Sequence, residues 1–336
     1  MLWIGLFWRC KFIKHLILIL MLTSLAACGG GGGGSVEISS TNVPSDPDGS
    51  VDTVSTWDGA DWADYSTFIR TVTPEIRTKL QGIATVGVAL GRQAGRMCQI
   101  GDSITESSAY FRNTVMNGTQ ANETGHDYTP IRSWLSYSGM KPADANSFYR
   151  DHGKGSDYAN RSGWTLADAI SAGHPVMSVD VGNGTEPGNF AWVLIMFGTN
   201  DIDAGSWDPT SWKVSYKAFV QNFINLGVVP VLSTIPPEQA HVGDGKVEAA
   251  NQMVAEIADE LDLLLVDYYA LVLHYQPTNW NGTLISGDGT HPSAAGGGRD
   301  FSQAGLSTTD GYAARTKLAF DVAEVLRAQI FEPSPP

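Results

Sequence analysis

Gln99-Ile100-Gly101-Asp102-Ser103-Ile104-Thr105 sets the reading of this chain. The apolar run Met97–Ile100 ends in a glycine, an acid and a serine. A short apolar run closed by turn residues reads as a buried strand. Ser103 then stands at the strand's carboxyl end, where open α/β sheets keep their ligand sites. The rhythm continues downstream. Apolar runs at Trp192–Phe197, Val228–Leu232 and Leu263–Val266 alternate with helical patterns at Trp212–Leu226, Val247–Leu261 and Gly311–Ile330. In the last of these, Ala314, Leu318, Val322, Val325 and Ile330 recur at helical spacing. Alternation of this kind predicts an α/β fold, a parallel sheet with helices on both faces. Thr73-Pro74-Glu75 predicts an earlier helix, with a capping hydroxyl, proline in the first turn and an early acid. Residues 106–160 fit the rhythm poorly. They are polar, rich in Gly and Asn, and carry aromatics from Tyr110 to Tyr158, which predicts a long elaboration beside the site.

The amino terminus reads as an export leader. Arg9, Lys11 and Lys14 precede the unbroken apolar run Leu16–Leu22, and small residues follow up to Cys28. Six glycines at 29–34 and a Ser, Thr, Pro and Asp-rich stretch to about residue 55 have the composition of a flexible tether. The expected organisation is a leader at 1–27, the tether at 28–55, a helical extension at 56–95 and one enzyme-sized domain at 96–331. Of the 21 Lys and Arg, three precede Cys28 and no acid does, which leaves 18 against 35 acids and a formal charge of −17. Such a surface repels phosphate backbones, so no nucleic-acid partner is expected. With Cys10 in the leader and Cys28 at its end, Cys98 alone remains, and no internal disulfide is expected.

Four segments bear on chemistry: Gly101-Asp102-Ser103, Asn160 to Thr165 around Gly163, Gly198-Thr199-Asn200-Asp201, and Asp288-Gly289-Thr290-His291-Pro292. A serine hydroxyl is a poor nucleophile until an imidazole takes its proton. An acid on the far ring nitrogen fixes the tautomer and stabilises the imidazolium. Asp288 and His291 lie three residues apart, so one turn holds both. The tetrahedral intermediate needs donors aimed at its oxyanion. The candidates are the N–H groups of Ser103 and Gly163 and the amide of Asn200. Gly153 and Gly155 compete with Gly163, Asp201 with Asp288, and His274 with His291. The remaining histidines form no His-x-x-x-His pair, and neither a metal nor a cofactor is expected. Among the tryptophans, Trp164, Trp192, Trp207, Trp212 and Trp280 read as packing residues, some of which would suit a sugar-binding cleft.

Gly101-Asp102-Ser103, Gly163, Gly198-Thr199-Asn200-Asp201 and Asp288-Gly-Thr-His291 resemble, in that order, the blocks of the SGNH/GDSL hydrolases. The resemblance covers residues 95–330. It implies a three-layer α/β/α sandwich with a five-stranded parallel sheet and no metal. It also implies an esterase acting through an acyl-enzyme, with Ser103 as nucleophile, His291 as base then acid, and Asp288 orienting it. Ser103, Gly163 and Asn200 would form the oxyanion hole. Leu25-Ala26-Ala27-Cys28 resembles a bacterial lipobox, which implies cleavage before Cys28 and a lipid anchor on its thiol. Gly29 after the cysteine is compatible with sorting to the outer membrane of a Gram-negative cell. The expected substrate is a small-molecule or polysaccharide ester, foremost an O-acetylated carbohydrate. A lipase or lysophospholipase, and an idle carbohydrate-binding module, are the other readings.

Overall fold

The computed structural model describes residues 65–136, 160–171 and 190–333. The expected leader, the tether with Cys28, and the aromatics Tyr137, Phe148, Tyr149 and Tyr158 lie outside them. Among the described residues, one parallel sheet is built from β1 (Gln93–Gly101), β2 (Phe190–Met196), β3 (Val229–Ser233) and β4 (Leu264–Val266), in that spatial order. The expected α/β class is therefore found, with four strands where five were expected. Between β1 and β2 the described residues hold helices and the short strand Ala121–Asn122, which pairs with Asp300–Phe301 from beyond β4, but no fifth strand of the main sheet.

The two central strands are wholly buried and the two edge strands only in part. All seven residues of β2 are buried, as a central parallel strand covered on both faces requires. Two sets of helices do the covering. One contains α1 (Pro74–Ala89), α4 (Thr129–Ser136), α9 (Tyr268–Tyr275) and α10 (Gly311–Leu326). The other contains α5 (Leu166–Ser171), α6 (Thr199–Asp203), α7 (Pro209–Asn225) and α8 (Lys246–Leu261). Two short helices, α2 (Ser103–Glu106) and α3 (Arg112–Asn117), follow β1.

Local sequence fixes where these helices begin. Thr73 accepts the Ile76 N–H, Asp208 that of Ser211, Asp267 that of Ala270 and Asp310 that of Ala313, each satisfying a donor the helix leaves open. Proline follows two of these caps, at Pro74 and Pro209. On α1 the buried positions Ile76, Leu80, Ile83, Ala84 and Gly87 form a helical stripe.

The elaboration after β1 turns inward. Tyr110, Phe111, Tyr128 and Trp134 are all buried. Phe111 and Tyr128 meet Phe320 of α10 at centroid distances of 5.1 and 5.6 Å. The described aromatics of 106–136 are thus core residues joining this segment to the last helix. Trp164, Trp192, Trp212 and Trp280 are also buried, with Trp192 inside β2. Of the five tryptophans singled out in the sequence, only Trp207 is partly exposed.

Candidate active site

β1 delivers Asp102 and Ser103 to the carboxyl edge of the sheet. Gly101 is required at the crossing. A Cβ there would lie 2.6 Å from the Met196 carbonyl oxygen and collide with the Thr105 hydroxyl. Asp102 caps α2 by accepting the Ile104 N–H at 3.0 Å. The turn is held from below by Arg315 of α10. This buried guanidinium donates to the Ile104 carbonyl at 3.0 Å and to Thr105 Oγ1 at 3.2 Å, and stacks 3.8 Å over the Tyr110 ring.

The loop before α10 delivers the other partners. Ser103 Oγ lies 2.9 Å from His291 Nε2. His291 Nδ1 lies 2.8 Å from Asp288 Oδ2. The other oxygen of Asp288 accepts the Ser286 hydroxyl at 2.7 Å and the N–H groups of Thr290 and His291, both at 3.0 Å. Partial burial works against the charge of Asp288, but these bonds and the imidazole overcome it and hold the carboxyl well below the usual carboxylate range. The result is a fixed acceptor behind a ring that faces a hydroxyl.

The second block docks on the end of β1. Arg161 N–H donates to the Gly101 carbonyl, and Asn160 Nδ2 donates to the Gln99 carbonyl. Gly163 follows in the left-handed region at φ +79°, where a side chain would be strained. The third block follows β2. Asn200 Nδ2 donates to the Trp164 carbonyl at 3.0 Å, which orients its amide and leaves a second N–H on the same nitrogen. Asp201, the competing acid, accepts the Leu166 N–H at 2.9 Å and so joins the second and third blocks. His274, the competing base, packs against the Phe68 and Tyr275 rings. Gly153 and Gly155 lie outside the described residues.

Buried carboxyls surround this site. Burial raises the pKa of Asp102 to about 6, against the opposing pull of the Ile104 N–H and Arg315. Burial likewise raises Asp201 to about 6. Glu238, after β3, is raised to about 8 by burial and by the neighbouring Asp203. Sequence reasoning missed Glu238 and Arg315, which carry no motif. It also missed that Asp203, Glu238 and His241 place one donor atom each within 4.8 Å of one another.

A strand-end serine bonded to an imidazole, with a carboxylate behind it, is the arrangement of a hydrolase that proceeds by nucleophilic attack. The model of the GDSL-like Lipase/Acylhydrolase family matches residues 100–298, more than half of the sequence, and the chain belongs to that family. It is accordingly an ester-hydrolysing enzyme. No curated protein matches it. Similar solved structures include the acetylxylan esterase Axe2 from Geobacillus stearothermophilus. It shares 17% identity at a TM-score of 0.43, covering 68% of this chain and 93% of that one. A GDSL-like lipase from Bacteroides thetaiotaomicron shares 16% identity at a TM-score of 0.43, covering 79% and 98%. A lipolytic G-D-S-L family member from Veillonella parvula shares 16% at 0.41, covering 68% and 97%.

Proposed function

We propose that the chain is an exported, lipid-anchored serine esterase that removes O-acetyl groups from carbohydrates. The hydrogen-bonded relay from Ser103 through His291 to Asp288 carries this reading. Ser103 Oγ attacks the ester carbonyl as its proton passes to His291 Nε2. The N–H groups of Ser103 and Gly163 and the free N–H of Asn200 hold the oxyanion. The intermediate collapses, His291 returns the proton to the departing sugar hydroxyl, and an acetyl-serine remains. Water then attacks, with its proton going to His291. Collapse of the second intermediate releases acetate and returns that proton to Ser103.

Export and anchoring rest on the basic and apolar leader and the Leu25-Ala26-Ala27-Cys28 block. On this reading the enzyme works at the cell surface or in the periplasm, on the side where glycans of the cell envelope and its surroundings are met. The similarity of Asp288-Gly289-Thr290-His291-Pro292 to the same block in carbohydrate acetylesterases favours an acetylated sugar. The acidic chain agrees with this. The aromatics of 106–136 do not count toward it, because they are buried in the core.

The test is release of acetate from acetylated glycans and hydrolysis of acetyl and longer-chain p-nitrophenyl esters by the wild type and Ser103→Ala. A preference for acetyl esters that vanishes in the variant is expected. Equal rates in both proteins would overturn the catalytic assignment, and a preference for long acyl chains would redirect it to lipids. Palmitate labelling of wild type and Cys28→Ala tests the anchor, which fails if the label persists in the variant.

A further inference from the structure

We propose that Asp203, Glu238 and His241 form a binding site for a divalent cation of the zinc class. The residues come from two segments that leave adjacent strands. Asp203 ends α6 after β2, while Glu238 precedes and His241 ends a single turn, Gln239–His241, after β3. Asp203 Oδ1 and His241 Nε2 stand 2.9 Å apart. Two ligands at the usual zinc distances are separated by about 3.0–3.4 Å, so a shared ion needs only a slight opening of this pair.

Three further observations point to a ligand. His241 is buried, and its Nδ1 is 2.8 Å from Asp244 Oδ2. The other oxygen of Asp244 accepts the Lys246 N–H at 2.9 Å, so this carboxylate is itself fixed. A carboxylate on the far nitrogen of the ring is the outer partner that metal-binding histidines carry. Glu238 is only 2% exposed, and its Oε1 has no hydrogen-bond partner among the described residues. A carboxyl this buried normally finds a donor or a cation. Finally, the three carboxyl groups of Asp203, Glu238 and Asp244 face few positive charges. The nearby Lys246 ammonium bonds to the Ile202 carbonyl at 3.0 Å, and His241 is shared between two of the acids.

One imidazole with two carboxylates suits zinc, cobalt or similar ions better than calcium or magnesium, which favour all-oxygen sites. On binding, the cation takes the place of the protons on His241 Nε2 and on the Glu238 carboxyl, and both pass to solvent. The site also has a structural consequence. Gln239, between the two ligands, donates its N–H to the Gly289 carbonyl at 2.8 Å and accepts Asn281 Nδ2 on its side chain at 3.0 Å. A cation at Glu238 and His241 would therefore brace the turn against which the Asp288–His291 loop rests.

The experiment uses the full chain stripped of metal with a chelator. Calorimetric titration with zinc chloride is expected to give one site of about micromolar affinity or tighter. Zinc should raise the melting temperature where calcium and magnesium do not. Cobalt(II) should give visible absorption bands displaced by zinc. Asp203 is largely exposed, so Asp203→Asn should fold, which its circular dichroism will check. That variant and His241→Ala should each bind zinc at least about tenfold more weakly. Wild type that binds zinc no tighter than millimolar would overturn the proposal. So would undiminished affinity in folded Asp203→Asn.

Discussion

Replacing Asp288 by Asn tests the relay without dismantling its loop. If the Asn carbonyl takes the place of Oδ1, the bonds from Ser286, Thr290 and His291 N–H survive. The amide nitrogen then faces His291 Nδ1 and donates to it. The ring proton is forced onto Nε2, where it points at Ser103 and cannot accept the serine's proton. The charge lost in the transition state is screened, since the side chains of Asp288 and His291 are 51% and 40% exposed. At about 4 Å, an effective dielectric of 20–40 gives about 2–4 kcal/mol of attraction, discounted toward the lower end by solvent. With the tautomer cost added, kcat/KM should fall by about 10²–10³, less than the ~10⁴ seen for a buried triad acid. The assay is p-nitrophenyl acetate hydrolysis by wild type, Asp288→Asn and Ser103→Ala. A rate within about threefold of wild type would remove Asp288 from the mechanism, because an orienting acid is worth far more. A rate equal to Ser103→Ala would refute the screening argument.

Asn200→Ala should lower kcat by about 10²–10³ with KM nearly unchanged, as loss of an oxyanion donor does, and steady-state kinetics will separate the two constants. Gly101→Ala forces a Cβ against Met196 and Thr105 and should cost about 1–3 kcal/mol in urea unfolding. Gly163→Ala meets no atom within 4 Å, so its cost should be only the left-handed backbone, about 1–2 kcal/mol. Asp102 gives a pH signature. Its pKa rises from 3.8 to about 6 on folding, so between these values the folded protein binds more protons there than the unfolded chain. Its contribution to stability therefore falls as pH rises through this window, by about 2–3 kcal/mol in all. Asp102→Asn keeps an acceptor for Ile104 N–H and should remove that slope. Parallel unfolding free energies for the two proteins from pH 4 to 7 would contradict it.

Much of the fold was legible because burial in a parallel sheet leaves uninterrupted apolar runs. The run Trp192–Phe197 falls almost wholly within β2, and Thr73-Pro74 marks the start of α1. β1 was read too short. Gln93, Ala94, Gly95 and Arg96 belong to it, yet they are less buried and the register with β2 shifts after Gln93, so no apolar signal marks them. In α10 the expected one-sided stripe is instead burial nearly all around the helix, including Arg315 and Lys317. Asp321, one helical turn on, meets Lys317, but the other partners are distant in sequence: the Ile104 carbonyl for Arg315 and the Tyr65 ring for Lys317. Spacing cannot reveal partners of that kind. The same holds for the site. Asp288 and His291 were readable as a pair because one turn carries both. Glu238 and Asp203 meet only because β2 and β3 are neighbours.

Ser103 and His291 are 188 positions apart, and the Arg315 that holds the serine's turn lies farther still along the chain. Biosynthesis runs from the serine toward the histidine. A nascent chain that has released β1 through β4 from the ribosome holds a strand-end serine with no base. If the proposed triad carries the reaction, hydrolysis cannot begin until the His291 loop has docked beside Ser103, which makes turnover a clock for a late step of folding. Contacts of such long span also close late and slowly. Refolding followed by ester hydrolysis should accordingly lag behind refolding followed by the signal of the sheet.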